Sequence, residues 1–342
     1  MSRSEKYHRN LQLQAYDKLT NMLHSGEDTS KKAAMEDGTA KDKIFSYNTY
    51  KTYKQQSYAF IRYIEKEHPE CKNLKQARPY VKEYLQKSVD EGKSAWTVQT
   101  QSKALGKLYG ITPDSKDYFT PPVRHREDII RSRGEAIRDR HFSEKNNDEL
   151  VRFCKGVGAR REGMRKMMGK DLMTREQIDR HVSRLEKTAT ERELTEKERT
   201  QLTICKDAQR FDGCTHYVYL KEKGGRERIS PIVGPDKDKI IERFQNTGRY
   251  EKVWQHVSTN ADIHSYRGIY ATRVYKTYAR DIDELRANHT TFTYQGKEVS
   301  ALYICRKDER GKILDKQAME MASKALGHNR LEVVANNYLR GL

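Results

Sequence analysis

The residues of this chain that could do chemistry are a few arginines and histidines and one late tyrosine. Leu326-Gly-His328 is followed ten residues later by Tyr338, and an earlier His264-Ser-Tyr-Arg267 sequence places two such residues three apart. On a helix that spacing puts both side chains on one face. Arginine can donate two parallel hydrogen bonds to a phosphate, and histidine can transfer a proton or donate to the same group. Arginine and histidine therefore suit an anionic ligand such as a phosphate, provided that the fold brings these residues together.

Two further segments add cations that could join such a site. Arg160 directly follows a Gly-Val-Gly-Ala sequence that predicts a helix end, and Lys223 lies in a Gly-Gly turn between two strand-like runs. Taken singly, each signal has an ordinary interpretation. Most His-x-x-Arg pairs and most lysines on tight turns are solvated surface residues, so only the combination of segments is informative.

In this chain order the segments resemble the catalytic domain of the tyrosine recombinases, the phage-integrase family. The resembling segments are Gly158-Ala-Arg160-Arg161 with the later Asp171, Lys223-Gly-Gly-Arg-Glu-Arg-Ile-Ser-Pro231, His264-x-x-Arg267 with Ala271-Thr272, Leu326-Gly-His328, and Tyr338. The resemblance covers roughly residues 142–342. A less specific one links the helical segment 45–112 to the family's core-binding domain.

The resemblance implies an enzyme that cuts and rejoins DNA through a 3′-phosphotyrosyl intermediate and a Holliday junction, without a cofactor or metal. It implies a site-specific recombinase or integrase of a mobile element. Arg160 and Arg267 would hold the phosphate, with a hydrogen bond from His328. Lys223 would protonate the departing 5′ oxygen, and His264 would assist proton transfer at the nucleophile, Tyr338.

The partners implied are double-stranded DNA with inverted half-sites, further copies of the chain in a homotetramer on paired sites, and accessory DNA-bending or directionality factors. The expected location is the cytoplasm, on the nucleoid when DNA is bound. Two alternatives stay open: a type IB topoisomerase-like enzyme that relaxes DNA, and a non-catalytic DNA-binding protein of the same fold.

The chain departs from the family pattern at three places. Gly163 stands where an acidic residue usually follows the first arginine, although Glu162 precedes it. The interval between His328 and Tyr338 is one residue longer than the commonest family spacing. Insertions at about 172–210 and 290–313 are unusually long.

The composition agrees with a polyanionic partner. Lys and Arg number 67 against 49 Asp and Glu, which gives a formal charge of +18. Such an excess favours nucleic acid, although charge also serves solubility. The candidate DNA contacts outside the catalytic set are Arg124, Arg126, Arg131, Arg133, Arg161, Lys103 and Lys107. Acidic residues are interleaved with the arginines of segment 124–140, so a solvated helix face is the alternative there.

Other residue types exclude several classes of protein. No apolar run approaches the roughly 18–20 residues that span a bilayer. The five cysteines are odd in number and lack Cys-x-x-Cys spacing, so neither a disulfide framework nor a zinc site is expected. We expect buried or half-buried thiols.

The elements that must position the candidate residues are mainly helical. The pattern predicts an α+β class, mainly α with a small antiparallel β-sheet. The predicted segments are an N-terminal helix and linker (1–44), a helical core-binding domain (45–112), a basic interdomain linker (113–141) and a catalytic domain (142–342). Thr49 and Ser143 are predicted helix N-caps, and Gly110 a helix end.

Further predictions concern the catalytic segment. We expect a charged helical hairpin within 172–210, a β-hairpin within 215–233, helices at 236–246 and 262–279, a strand pair within 292–306, and terminal helices at 315–326 and 331–339.

Overall fold

Helices make up most of the chain, together with small antiparallel sheets, which confirms the predicted α+β class. The computed structural model describes residues 10–24, 31–125, 142–222, 225–306, 309–339 and 342. The helices are α1 Leu11–Asn21, α2 Lys31–Glu36, α3 Tyr47–Glu67, α4 Leu74–Ala77, α5 Val81–Asp90, α6 Ala95–Tyr109, α7 Asp148–Val157, α8 Arg161–Lys166, α9 Arg175–Glu191, α10 Glu196–Gln209, α11 Lys237–Gln245, α12 Ile263–Tyr278, α13 Ile282–Ala287, α14 Lys316–Leu326 and α15 Leu331–Asn337. The strands are β1 Leu172–Thr174, β2 His216–Lys221, β3 Glu227–Pro231, β4 Thr291–Tyr294, β5 Lys297–Ser300, β6 Leu302–Ile304 and β7 Ile313–Asp315.

The chain divides into two compact units, residues 1–128 and 129–342. The division falls inside the segment 113–141 that the sequence predicts as a linker. Three of its candidate DNA contacts, Arg126, Arg131 and Arg133, lie outside the described residues.

The first unit packs helices around Phe60, Ile61, Leu105 and Leu108, which are fully buried. Helix α3 begins earlier than the predicted cap at Thr49. The Ser46 carbonyl already accepts the first helical hydrogen bond, from the Tyr50 amide at 3.0 Å, so the cap position is Ser46.

The third predicted helix of this unit, α6, also begins before its predicted start near Thr97. The Ser94 hydroxyl accepts from the Thr97 amide at 3.2 Å, as an N-cap side chain does. The helix ends at Gly110 with φ of +67°, as predicted, because glycine adopts this left-handed conformation without steric cost.

The N-terminal helix belongs to the same core rather than standing apart, since Leu11, Ala15 and Leu19 are buried in it. The segment predicted as a linker up to residue 44 also contains structure, namely α2 and a 3₁₀ turn at Thr39–Asp42. Its end is fixed by the buried side chain of Ile44. The burial of an apolar side chain therefore orders a segment that its charged composition predicts as a linker.

Lys107 holds that 3₁₀ turn in place. Its ammonium group donates to the carbonyls of Ala40, Lys41 and Lys43 at 3.0, 2.6 and 3.2 Å. An ammonium has three N–H donors, so these bonds use them all. Lys107 is an internal support, and its geometry does not favour the DNA contact expected from the sequence.

The described part of the second unit, from residue 142, has a turn where Ser143 is predicted to cap a helix. The Ser143 carbonyl accepts from the Asn147 amide at 3.1 Å, and α7 starts only at Asp148. The helical hairpin α9–α10 is confirmed. Thr174 and Thr195 cap its two helices through their hydroxyls, each in a reciprocal capping box.

The predicted β-hairpin is confirmed as β2 and β3, which pair antiparallel with Tyr219 opposite Ile229. Strand β1 adds to the free side of β2, so the sheet has the order β1-β2-β3. The strand pair expected within 292–306 is instead three strands that belong to two separate hairpins. Strands β4 and β5 form one hairpin, whereas β6 pairs with β7, which lies beyond the predicted range.

Helix α12 lies at the centre of the second unit, against α7 and α14. The Tyr270 hydroxyl donates to the Pro231 carbonyl at 2.9 Å and ties this helix to β3. Gly158, with φ of +64°, ends α7 directly beneath the Tyr270 ring, where a Cβ would collide with the ring carbons. Only glycine fits there, and the chain turns at this point towards Arg160.

The sequence predicts the state of the cysteines and the absence of a membrane-spanning run. All five thiols are free, four of them buried and Cys214 half-buried, as predicted. None of the helices that the structure describes is long and apolar enough to cross a membrane.

The role of Lys107 gives a stability prediction. Lys107→Met should lower the free energy of unfolding of the first unit by about 1–3 kcal/mol, because it leaves carbonyls of the 40–43 turn without a partner. Urea unfolding followed by circular dichroism measures the change. Lys103→Met, an exposed lysine on the same helix, is the matched control and should change little. Equal effects of the two substitutions would contradict the supporting role of Lys107.

Candidate active site

Four segments that are distant in the sequence meet in the second unit. Arg160 precedes α8 immediately after the end of α7, and Arg267 lies on the first half of α12. His328 follows Gly327, the C-cap of α14, and Tyr338 is the C-cap of α15. The contacts below bring their side chains together around one region.

Arg267 is the most deeply buried member, with 2% of its surface exposed. One terminal nitrogen donates to the Gly158 carbonyl, and the other donates to the Leu326 carbonyl at 3.1 Å. Burial lowers the pKa of Arg267, as does the neighbouring Arg228, to about 10. The guanidinium therefore remains charged at neutral pH.

Arg160 is bound to a carboxylate that the sequence did not single out, Glu222. The Arg160 amide donates to Oε1 of Glu222 at 2.5 Å, and its guanidinium donates to Oε2. The Arg160 side chain is 33% exposed, so a second ligand can reach part of it.

Tyr338 is buried, and its hydroxyl lies 3.3 Å from Nε2 of His328. The guanidinium carbon of Arg267 lies 5.7 Å from the centre of the Tyr338 ring. His264 meets that ring edge to face, with ring centres 5.2 Å apart. His328 thus lies within hydrogen-bonding distance of the tyrosine and His264 lies against its ring, whereas the resemblance assigns His264 to the tyrosine and His328 to the phosphate.

The environment keeps the His328 ring neutral. Burial lowers its pKa, and the positive charges of Arg267, Arg160, Arg228 and Arg226 add to this effect, bringing it to about 4. A neutral imidazole with its proton on Nδ1 can accept a hydrogen bond at Nε2. The Tyr338 hydroxyl can supply that bond.

Arg228 is a third arginine of the site and is buried, and sequence reasoning missed it. It donates to the Ser230 hydroxyl, to the Ala325 carbonyl and, at 3.1 Å, to the Gly158 carbonyl. The available signal was strand periodicity, because residues 228 and 230 share one face of β3. Its side chain lies against Gly327, where a Cβ would come within 2.7 Å.

The three arginines carry more charge than the described acidic residues neutralise. The ion pairs that the structure gives for Arg160, Arg228 and Arg267 all go to Glu222. A formal excess of two positive charges therefore remains in a largely buried region. An excess of this kind favours an anionic ligand.

Two further residues belong to the predicted motifs, Lys223 and Asp171. Lys223 lies outside the described residues. The preceding Glu222 amide donates to the Arg226 carbonyl at 2.9 Å. Asp171 accepts from the Met168 amide at 2.8 Å and so shapes the turn before β1.

The candidate DNA contacts that the structure describes differ in their exposure and in the groups that they contact. Arg161 donates to the Ala261 carbonyl at 2.8 Å and holds the loop before α12. The Arg124 guanidinium lies 5.3 Å from the centre of a Trp96 ring, and Lys103 is exposed. Lys107 points inward, as described above.

A cavity of about 680 Å³ opens beside His328. The hairpin and the α14–α15 loop line one side through Arg226, Arg228 and Asn329, and α10 lines the other side through Lys197, Arg199 and other residues. The insertion that holds α10 therefore forms a wall of the space next to the candidate site.

Helix α3 of the first unit carries a separate basic and aromatic face, which we call the α3 face. It borders a groove of about 550 Å³ and consists of Tyr47, Asn48, Lys51, Thr52, Lys54, Gln55, Tyr58 and Arg62. Positions 47, 51, 58 and 62 follow helical spacing, and none of the residues of the α3 face is acidic. Sequence reasoning placed DNA contacts on α6 instead; the missed signal is the absence of acidic residues along α3 before Glu65.

Compared with protein-family models, with curated proteins and with solved structures, the chain matches none.

The low pKa of His328 gives a prediction about stability and pH. The unfolded chain binds a proton at this residue near pH 6.5, and the folded chain only near pH 4. The folded state therefore loses stability as the pH falls through this interval. His328→Gln should make the decrease in melting temperature between pH 6.5 and pH 4.5 smaller than in the wild type. An equal decrease in both proteins would show that the fold does not hold His328 neutral.

Proposed function

We propose that the protein is a tyrosine site-specific recombinase, an enzyme that cuts and rejoins DNA through its own tyrosine. The observation that carries the proposal is the meeting of Arg160, Arg267, His328 and Tyr338, from four distant segments, in a region with excess positive charge. The resemblance of these segments to the family in order and spacing supports the same conclusion.

A DNA phosphodiester fits the charge of the site. It carries one negative charge on two non-bridging oxygens, and that charge grows as the phosphorus is attacked. Arg160 presents a partly exposed side chain. The Arg267 guanidinium is held by two carbonyls and lies close to the tyrosine ring. Fixed cationic donors stabilise such a transition state more than they stabilise the substrate, because they need no rearrangement as charge develops.

In the first step the Tyr338 oxygen attacks the phosphorus. A bond forms between the phosphorus and this oxygen, and the bond to the 5′ oxygen of the next nucleotide breaks. Free tyrosine has a pKa near ~10 and is a weak nucleophile at neutral pH, so it needs an acceptor for its proton. Nε2 of His328, at 3.3 Å, can accept a hydrogen bond from that hydroxyl and orient it. His264, whose ring lies against the Tyr338 ring, is the residue to which the resemblance assigns the proton.

The 5′ oxygen must gain a proton as it leaves, and Lys223 on the hairpin turn is the donor that the motif assigns. The 3′ end of the cut strand stays joined to Tyr338 as a phosphodiester. A second 5′ hydroxyl can then reverse the reaction without ATP, because the covalent bond preserves the bond energy. Two rounds exchange two pairs of strands through a Holliday junction.

The wider setting follows from this chemistry. Strand exchange needs two duplexes and four active sites, so we propose a homotetramer on inverted half-sites, working in the cytoplasm on mobile-element DNA with accessory bending or directionality factors. The α3 face suits a duplex, because its cations can neutralise phosphates while its amide and tyrosine side chains contact base edges.

The nucleophile assignment predicts that Tyr338→Phe forms no covalent complex with DNA. The substitution removes only the hydroxyl, so fold and DNA binding should persist. Nicked duplex fragments of the host genome are incubated with each protein, denatured, and recovered through the protein; the trapped ends are then sequenced. Tyr303→Phe, a half-buried tyrosine of the same unit, is the control and should trap as the wild type does. A covalent complex formed by Tyr338→Phe would contradict the assignment of Tyr338 as the nucleophile.

The other outcomes of this experiment separate the alternatives. Trapping with rapid relaxation of supercoiled plasmid, but no exchange between two sites, would identify a topoisomerase-like enzyme. Binding of DNA without any trapping by the wild type would identify a non-catalytic DNA-binding protein.

The α3 face gives a prediction about salt dependence. Replacing Lys51 and Arg62 together by alanine should weaken duplex binding and reduce the slope of log affinity against log salt by about two, one for each lost phosphate contact. Fluorescence anisotropy at several salt concentrations measures the slope. The control pair Lys75→Ala and Lys82→Ala removes the same charge from exposed positions of the first unit. Equal slopes for both pairs would show that only net charge matters.

A further inference from the structure

Glu222 has an unusual position for a carboxylate in this molecule. Its side chain is 1% exposed and lies against three arginines. It bonds Arg160 through both the amide and the guanidinium, and it lies 3.4 Å from Arg228 and 3.7 Å from Arg267. One buried carboxylate thus contacts each cation of the candidate phosphate site.

The carboxylate stays charged in this place. Burial alone would raise the pKa of Glu222, but Arg228, Arg267 and Arg160 outweigh it and bring it to about 2. Glu222 is therefore an anion throughout the neutral range. It contributes a fixed negative charge and two acceptor oxygens.

Gly163 leaves the space that Glu222 occupies. A Cβ at position 163 would lie 3.2 Å from Oε1 and 3.3 Å from Cγ of Glu222, which is tighter than most contacts of this kind. The adjacent Glu162 is exposed and pairs with Lys166 at 2.8 Å, away from the arginines. The carboxylate that serves the site comes from the hairpin, and the glycine on α8 makes room for it.

The backbone of Glu222 also fixes the start of the hairpin turn. Its amide donates to the Arg226 carbonyl at 2.9 Å, and its carbonyl accepts from the Gly225 amide at 3.1 Å. Glu222 thereby joins Gly225 and Arg226, immediately before β3, to the arginines through its side chain.

We propose that Glu222 is the positioning residue of the phosphate site: it aligns Arg160 and Arg267 for the non-bridging oxygens and sets the charge of the cluster. This inference rests on the proposed function. Three arginines and one carboxylate leave two positive charges, which suits a phosphate whose charge increases in the transition state. Without the carboxylate, the cluster would attract the substrate phosphate more strongly but hold its guanidinium groups less firmly.

Glu222→Gln tests the role with almost no change in shape. We expect duplex binding that is unchanged or tighter, because a negative charge near the phosphate is gone. We expect formation of the covalent complex on nicked DNA to slow by about 10- to 100-fold in single-turnover conditions, the range seen when a group that orients a ligand is removed. A purely structural role would instead weaken binding and melting temperature together.

Moving the carboxylate gives a sharper test. Gly163→Glu alone should impair cleavage, because the new side chain meets Glu222 and repels it. Glu222→Ala alone should also impair cleavage. The double variant should recover much of the lost rate, since three bonds separate the Cβ of a glutamate from its carboxylate oxygens, which covers the distance to the vacated place. Glu162→Gln, one residue away, is the control and should cut at the wild-type rate.

Each outcome has one meaning. Wild-type trapping with an equally fast Glu222→Gln overturns the positioning role and leaves the proposed function intact. Absence of trapping by the wild type overturns the proposed function and this inference with it. If Glu222→Gln fails to fold, the relocation series decides: a folded double variant that cuts supports the role, and a folded double variant as slow as Glu222→Ala rejects it.

Discussion

The arrangement of the second unit depends on the hydrogen bonds of one buried guanidinium. Arg267 donates to the carbonyls of Gly158 and Leu326, which lie at the carboxyl ends of α7 and α14. Helices end with carbonyls that lack an intrahelical partner and carry partial negative charge, so a buried cation can be satisfied there. Arg228 uses the same two helix ends, through Gly158 and Ala325.

This constraint explains why the reactive groups meet. The chain that leaves α7 reaches Arg160 two residues after Gly158, and the chain that leaves α14 reaches His328 two residues after Leu326. By holding both helix ends, Arg267 fixes the points from which the two segments depart. The same arginine lies near the Tyr338 ring, so it contacts all three segments that carry Arg160, His328 and Tyr338 into the candidate site.

The charge of the molecule is divided among different tasks, which a net value of +18 does not reveal. The Lys107 ammonium group donates hydrogen bonds to backbone carbonyls inside the first unit. Arg161 holds a loop, and Arg228 and Arg267 are buried beside one carboxylate. The exposed Lys51 and Arg62 of the α3 face and the partly exposed side chain of Arg160 remain accessible to a polyanion.

The sequence by itself determined the class of fold, most helices and the central β-hairpin, because these depend on local periodicity and on turn residues such as Gly110 and Gly158. It also supplied the candidate residues Arg160, Arg267, His328 and Tyr338 in their order. The helix starts at Tyr47 and Asp148 were missed, since several nearby serines and threonines can cap equally well in a linear pattern. The turn at 39–42 was missed because Lys107, more than sixty residues later, stabilises it. Only the tertiary structure decided that Glu222 and Arg228 belong to the site and that His328 faces the tyrosine. Burial and pairing of charges are properties of contacts between distant segments, and no spacing along the chain encodes them.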